Sequence, residues 1–88
     1  MADYNIIVKA SVEKDIRKIP EDIISRIFEH IGALSSDPFP HESRKLTGAE
    51  HLYRIRVGDY RIIYDVIQED KVITIIYIRH RSSAYKKH

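Results

Sequence analysis

The sequence predicts an α+β domain in which two helices cover one face of a mostly antiparallel sheet. Three observations carry this. Apolar residues recur with a helical period between Val12 and Leu34, they alternate with period two after residue 51, and 88 residues suffice for one modest core. With 43% hydrophobic and 32% charged residues, and only 3 Gly and 3 Pro, the composition is that of a globular chain, not a disordered or fibrous one. Residues 1–88 are read as a single domain.

Tyr4-Asn5-Ile6-Ile7-Val8 is short, β-branched and aromatic, and reads as a first strand, with Ser11 available to cap a helix after it. Val12, Ile16 and Ile19 then recur at four and three residues with charged residues between them, as on an amphipathic helix of about two turns. Pro20 ends that helix and supplies the first position of the next, where its missing N–H costs nothing, and Glu21 and Asp22 place negative charge at the positive end of the helix dipole. Ile23, Ile24, Ile27, Phe28, Ile31 and Leu34 form the buried stripe of this second helix, which should run to about Ser36 before Asp37-Pro38-Phe39-Pro40 stops it. Residues 37–50 are read as a loop carrying the basic pair Arg44-Lys45. Leu52–Val57 and Tyr60–Ile67 are strands joined by Gly58-Asp59, a two-residue turn with glycine first, as type II′ requires. A second turn at 68–71 leads into a last strand, Val72–Arg79, and then a short polar tail or helix.

The net charge of +2 conceals a polarised chain. Residues 1–43 hold five basic and eight acidic side chains, whereas residues 44–88 hold ten and five. The absence of cysteine excludes disulfides and cysteine-based zinc sites. The five histidines show no metal-site spacing, so no metal and no cofactor are expected. No apolar run is long enough for a membrane helix, and Met1-Ala2-Asp3-Tyr4-Asn5 lacks the basic n-region and apolar stretch of a signal peptide, so the expected location is the cytoplasm, away from membranes.

A two-residue turn at Gly58-Asp59 fixes the hairpin register. Val57 faces Tyr60, Arg56 faces Arg61, Ile55 faces Ile62 and Arg54 faces Ile63. One face then receives Tyr53, Ile55, Val57, Tyr60, Ile62, Tyr64 and Val66, a surface suited to the helices; the other receives Leu52, Arg54, Arg56, Arg61, Ile63 and Asp65. Opposed Arg56 and Arg61 repel one another. Carboxylates such as Asp65, Glu50 and Asp59 could neutralise them. The alternative is that the cluster awaits a polyanion, because a guanidinium binds phosphate in a fixed fork. Arg79, His80, Arg81, Tyr85, Lys86 and Lys87 add cations and an aromatic ring suited to an RNA strand. If the second turn has an even number of residues, parity puts His80 with Ile76 and Ile78 on the arginine face and turns Arg79 toward the helices.

The strings Lys45-Leu46-Thr47-Gly48, Tyr53-Arg54-Ile55-Arg56-Val57-Gly58-Asp59-Tyr60-Arg61-Ile62-Ile63-Tyr64 and Arg79-His80-Arg81 with Tyr85 resemble the RelE branch of the RelE/ParE toxin superfamily. The resemblance spans nearly the whole chain. It implies the toxin of a type II toxin–antitoxin pair, a metal-independent endoribonuclease that cuts mRNA in the ribosomal A site by 2′-OH attack on the adjacent phosphate. By the same resemblance Arg54, Arg56, Arg61, Arg81 and Tyr85 are the catalytic positions, with Arg79, His80 and Lys45 as accessory candidates. Where one well-known family pattern has lysines in the second strand this sequence has Arg54 and Arg56, and arginine, with a pKa above about 12, is a very poor general base. His80 could supply an acid or base instead. The implied partners are mRNA, the ribosome and a small RelB-like antitoxin, the heterotetramer being one form of the toxin–antitoxin complex. The alternatives are a ParE-like inhibitor of DNA gyrase and a non-catalytic RNA-binding domain.

Overall fold

A computed structural model describes residues 3–84. The elements are β1 (Asn5–Val8), α1 (Ala10–Ile16), α2 (Glu21–Leu34), β2 (Arg44–Lys45), β3 (Leu52–Val57), β4 (Tyr60–Ile67), β5 (Val72–His80) and α3 (Arg81–Ala84). They build one five-stranded sheet in the order β1-β5-β4-β3-β2. The pairings among β2, β3, β4 and β5 are antiparallel, while β1 lies parallel to β5, with Asn5 beside Val72 and Val8 beside Ile75. A hairpin can join only antiparallel neighbours, so a parallel edge strand needs intervening chain.

The helical stripe behaves as its spacing requires. Ile27, Ile31 and Leu34 of α2 and Val12 of α1 are buried against Ile55, Val57, Ile62, Tyr64, Val66, Ile73, Ile75 and Ile78 of the sheet. Phe28, at the margin of the stripe, is exposed. Pro20 is the N-cap of α2, one position earlier than expected, and its carbonyl accepts bonds from the Ile23 and Ile24 amides, both 3.0 Å. The helix ends at Leu34 and not Ser36, because the Ser35 region turns back to the first strand: Ser35 Oγ donates to the Tyr4 carbonyl at 3.0 Å and the Tyr4 amide to the Ser35 carbonyl at 2.9 Å. Pro38 is buried, and its carbonyl accepts a 2.9 Å hydrogen bond from the Tyr64 hydroxyl, which anchors the loop after α2 to the sheet.

Ser11 is not the cap of α1. That helix begins at Ala10, and Ser11 Oγ instead donates to the Ile76 carbonyl at 2.6 Å. Further along α1, Asp15 Oδ2 accepts from the Ile78 amide at 2.9 Å. Both bonds fall where β5 is irregular. Tyr64 pairs with Ile75 but Ile63 pairs with Tyr77, leaving Ile76 as an extra residue, a β-bulge. The turn between β4 and β5 does have four residues, Ile67 standing opposite Val72, so the even-turn parity holds at the start of β5. The bulge then shifts the register by one and exchanges the two faces. Ile78 consequently joins the core opposite Ile62, Arg79 stands opposite Arg61, and His80 stands opposite Tyr60. The expected faces of Ile78, Arg79 and His80 are therefore reversed.

Two consequences for stability can be measured. Asp15→Ala leaves the Ile78 amide without its acceptor and is expected to cost about 1–3 kcal/mol in urea unfolding, with Asp15→Asn recovering much of it. Burial pushes the Tyr64 phenol up from 10.0 to about 12. The unfolded chain loses this proton first, so the fold is unaffected below pH 10 and loses up to about 3 kcal/mol as pH rises toward 12. Tyr64→Phe should be less stable than the parent near neutrality by about 1 kcal/mol, through loss of the Pro38 bond, yet fall less steeply between pH 10 and 12.

Candidate active site

The hairpin register is the expected one throughout: Arg56 pairs with Arg61, Ile55 with Ile62, Arg54 with Ile63 and Leu52 with Asp65. Gly58 has φ +61, Asp59 does not share the positive value, and a first-position glycine of this kind is what a type II′ turn needs. The helix-free face of the sheet thus carries two cross-strand rows. The first runs Arg56, Arg61, Arg79 across β3, β4 and β5. The second runs Arg44, Arg54, Ile63, Tyr77 across β2 to β5. Ile63 is only 5% exposed although it lies on this open face, flanked by Arg54 and Tyr77.

Arg81 reaches the first row by a different route. Its amide donates to the Asp59 carbonyl at 2.7 Å, tying the start of α3 to the hairpin turn. Arg56, Gly58, Asp59, Arg61 and Arg81 then line one cleft of about 250 Å³. Arg61 is half-buried, with its Nε shielded from solvent. Arg79, on the same face, stacks its guanidinium 4.3 Å from the Tyr77 ring centre and stands 4.0 Å from Asp15 of α1. The carboxylates that sequence reasoning offered as neutralisers form no ion pair with Arg54 or Arg56. Glu50 approaches His51 at 3.7 Å, and among the described residues neither Arg54 nor Arg56 forms an ion pair.

Of the sequence-derived candidates, Arg54, Arg56, Arg61 and Arg79 share the open face and Arg81 borders it. Tyr85 lies outside the described residues. Lys45 pairs with Tyr53, on the opposite face from Arg44 and Arg54, and borders a separate hollow with Leu46, Thr47 and Gly48. His80 is turned away from the arginines by the bulge. Its ring meets Tyr60 edge-on at 5.1 Å, and Nδ1 accepts from the Ser82 amide at 3.1 Å, the contact of an N-cap residue with the second residue of α3. A neutral His80 therefore carries its proton on Nε2. The sequence marks Arg44 only as half of a basic pair in a loop, because its position opposite Arg54 depends on a two-residue strand within that stretch. Among the described residues, no group of three or more His, Asp or Glu side chains converges as a metal site would need, and no helix is long and apolar enough to cross a membrane.

The charge of such a face favours an anionic ligand over a cationic one. The face defines a class of small α+β proteins that present an arginine-lined sheet face opposite their helices. The family model described as the ParE toxin of type II toxin–antitoxin systems matches residues 6–85. The putative toxin RelE1 of Methanocaldococcus jannaschii is 33% identical over 86 residues, covering 94% of this chain and 96% of its own. Toxin RelE of Mycobacterium tuberculosis is 29% identical over 84 residues, covering 94% and 87%. In the crystal structure of the archaeal RelE–RelB complex from Pyrococcus horikoshii OT3, the matching chain is 36% identical with a TM-score of 0.80, over 92% of this chain and 97% of that one. The chain belongs to the ParE toxin family of type II toxin–antitoxin systems, and these three relatives place it on the RelE-like side of that family.

The opposed cations give a test independent of activity. Arg56→Gln should relieve repulsion with Arg61 and raise stability by up to about 1 kcal/mol at low salt, or about 4–8 °C in Tm, with the gain shrinking as salt rises.

Proposed function

We propose that this chain cuts mRNA in the ribosomal A site, as an endoribonuclease that needs no metal, and so halts translation. The observation that carries the reading is the convergence of Arg56, Arg61 and Arg81 on one cleft, next to Arg79, with no ion-pairing carboxylate for Arg56 or Arg81 among the described residues. In this reading the ribose 2′-oxygen gives up its proton to water and attacks the adjacent phosphate, the bond from phosphorus to the 5′-oxygen of the next nucleotide breaks, and that oxygen takes up a proton from water, so the products are a 2′,3′-cyclic phosphate and a 5′-hydroxyl. Charge builds on the phosphoryl oxygens as the fifth bond forms. Guanidinium donors fixed on paired strands meet that charge without reorganising, which is the most effective form of electrostatic catalysis. With pKa above about 12 the arginines stay protonated, so their part is to bind and stabilise and not to take the 2′-OH proton. His80, held by Ser82 on the other face, has no part in the cleft.

The partner in this reading is a RelB-like antitoxin, since the similar chain from Pyrococcus horikoshii was solved in a RelE–RelB complex, and acidic and apolar segments would suit the masking of this chain's basic face. The family model carries the ParE name, so the gyrase reading is the one to set against this. Primer extension on programmed ribosomes is expected to show codon-dependent cuts, and Arg61→Ala to lower kcat at least a hundredfold, on the scale of one lost transition-state donor. Inhibited DNA supercoiling with intact mRNA would decide for the gyrase reading.

A further inference from the structure

We propose a second phosphate subsite, built by Arg44 and Arg54 across the β2–β3 pair, that holds the backbone phosphate next to the one being cut. It rests on the RNA-cleaving reading and extends it to the flanking nucleotide. β2 is only two residues long, yet its register sets Arg44 directly opposite Arg54. Opposed like charges destabilise a sheet, so this placement is costly unless an anion lies between them. Arg44, Arg54 and Arg56 line a depression of about 440 Å³ together with His41 and Glu42. It shares Arg56 with the cleft that holds Arg61 and Arg81. Arg54 and Arg56, two residues apart on one strand face, are separated by roughly 7 Å along the strand, which is the scale of the step between neighbouring phosphates of a nucleic-acid chain.

The segment carrying Arg44 is held in place. The Ser43 amide and hydroxyl both donate to the Pro40 carbonyl, at 2.9 and 2.8 Å, and the Leu46 amide donates to the Leu52 carbonyl at 2.9 Å. One Arg44 amino group donates to the Ser43 carbonyl at 3.2 Å, which orients the guanidinium and leaves further donors for a ligand. Glu42 lies 3.8 Å from His30 of α2, so its charge is directed partly toward the helix. Protection of an open sheet edge would explain a cation in β2 but not its face, and Lys45 already provides such a cation on the other side.

The test uses mRNAs on programmed ribosomes in which a single methylphosphonate removes the charge of one phosphate at a time around the cleavage point. At one flanking position the wild-type protein is expected to lose about tenfold in kcat/KM, the scale of one charge-assisted hydrogen bond, and Arg44→Ala about twofold or less. Arg44→Ala alone should raise KM about tenfold, with Arg44→Lys recovering part. Equal sensitivity of wild type and Arg44→Ala at every flanking phosphate overturns the subsite. Failure of the cleavage reading is seen separately, as a wild-type protein that cuts no codon. Anisotropy with a single-stranded RNA then decides the subsite: Arg44→Ala should reduce the slope of log K against log salt by about 0.7, and an unchanged slope overturns it.

Discussion

The single extra residue in β5 governs what this sheet can do. Up to Ile75 the strand follows simple alternation; at Ile76 the ladder slips by one, and every later side chain changes face. Without the slip, Ile78 would lie in the open and Arg79 would be driven toward the helices. With it, Arg79 extends the row begun by Arg56 and Arg61, and the core gains Ile78. A bulge leaves backbone groups that ordinary pairing does not satisfy. Here α1 supplies the partners, with Ser11 on the Ile76 carbonyl and Asp15 on the Ile78 amide. The first helix thus stabilises the irregularity that orients the arginine face.

The same face carries a cost in stability. Arg56 against Arg61 and Arg44 against Arg54 are arrangements that selection for stability alone would disfavour. The fold tolerates them because the other face is a continuous apolar surface packed against α2 and the buried parts of α1, with Tyr64 fully buried and hydrogen-bonded to Pro38. The two faces of β3 and β4 therefore have opposite tasks, and period-two alternation is what lets one strand perform both.

That alternation also explains which features could be read in advance. The hairpin from Leu52 to Asp65 was legible residue by residue, because Gly58-Asp59 admits one common turn and the turn sets the register. The helical stripe of Ile27, Ile31 and Leu34 was legible for the same kind of reason. The faces of Arg79 and His80 were not, since nothing in Ile75-Ile76-Tyr77 marks a bulge: three apolar residues fit either register. The parallel placement of β1 and the pairing of Arg44-Lys45 are likewise set by contacts between distant segments, which composition and local period do not encode. Ser11 looked like a cap because serine suits that role locally, yet a carbonyl 65 residues away claims its hydroxyl.

The tie between the Arg81 amide and the Asp59 carbonyl bears on the timing of synthesis. Arg79 and Arg81 belong to β5 and α3, which are made after β1 to β4, and β5 is the strand that joins β1 to the rest of the sheet. A chain still lacking these elements has neither the third member of the arginine row nor the Arg81 lining of the cleft. The arginine surface is therefore completed only once translation has passed residue 81, and shorter chains hold an incomplete sheet.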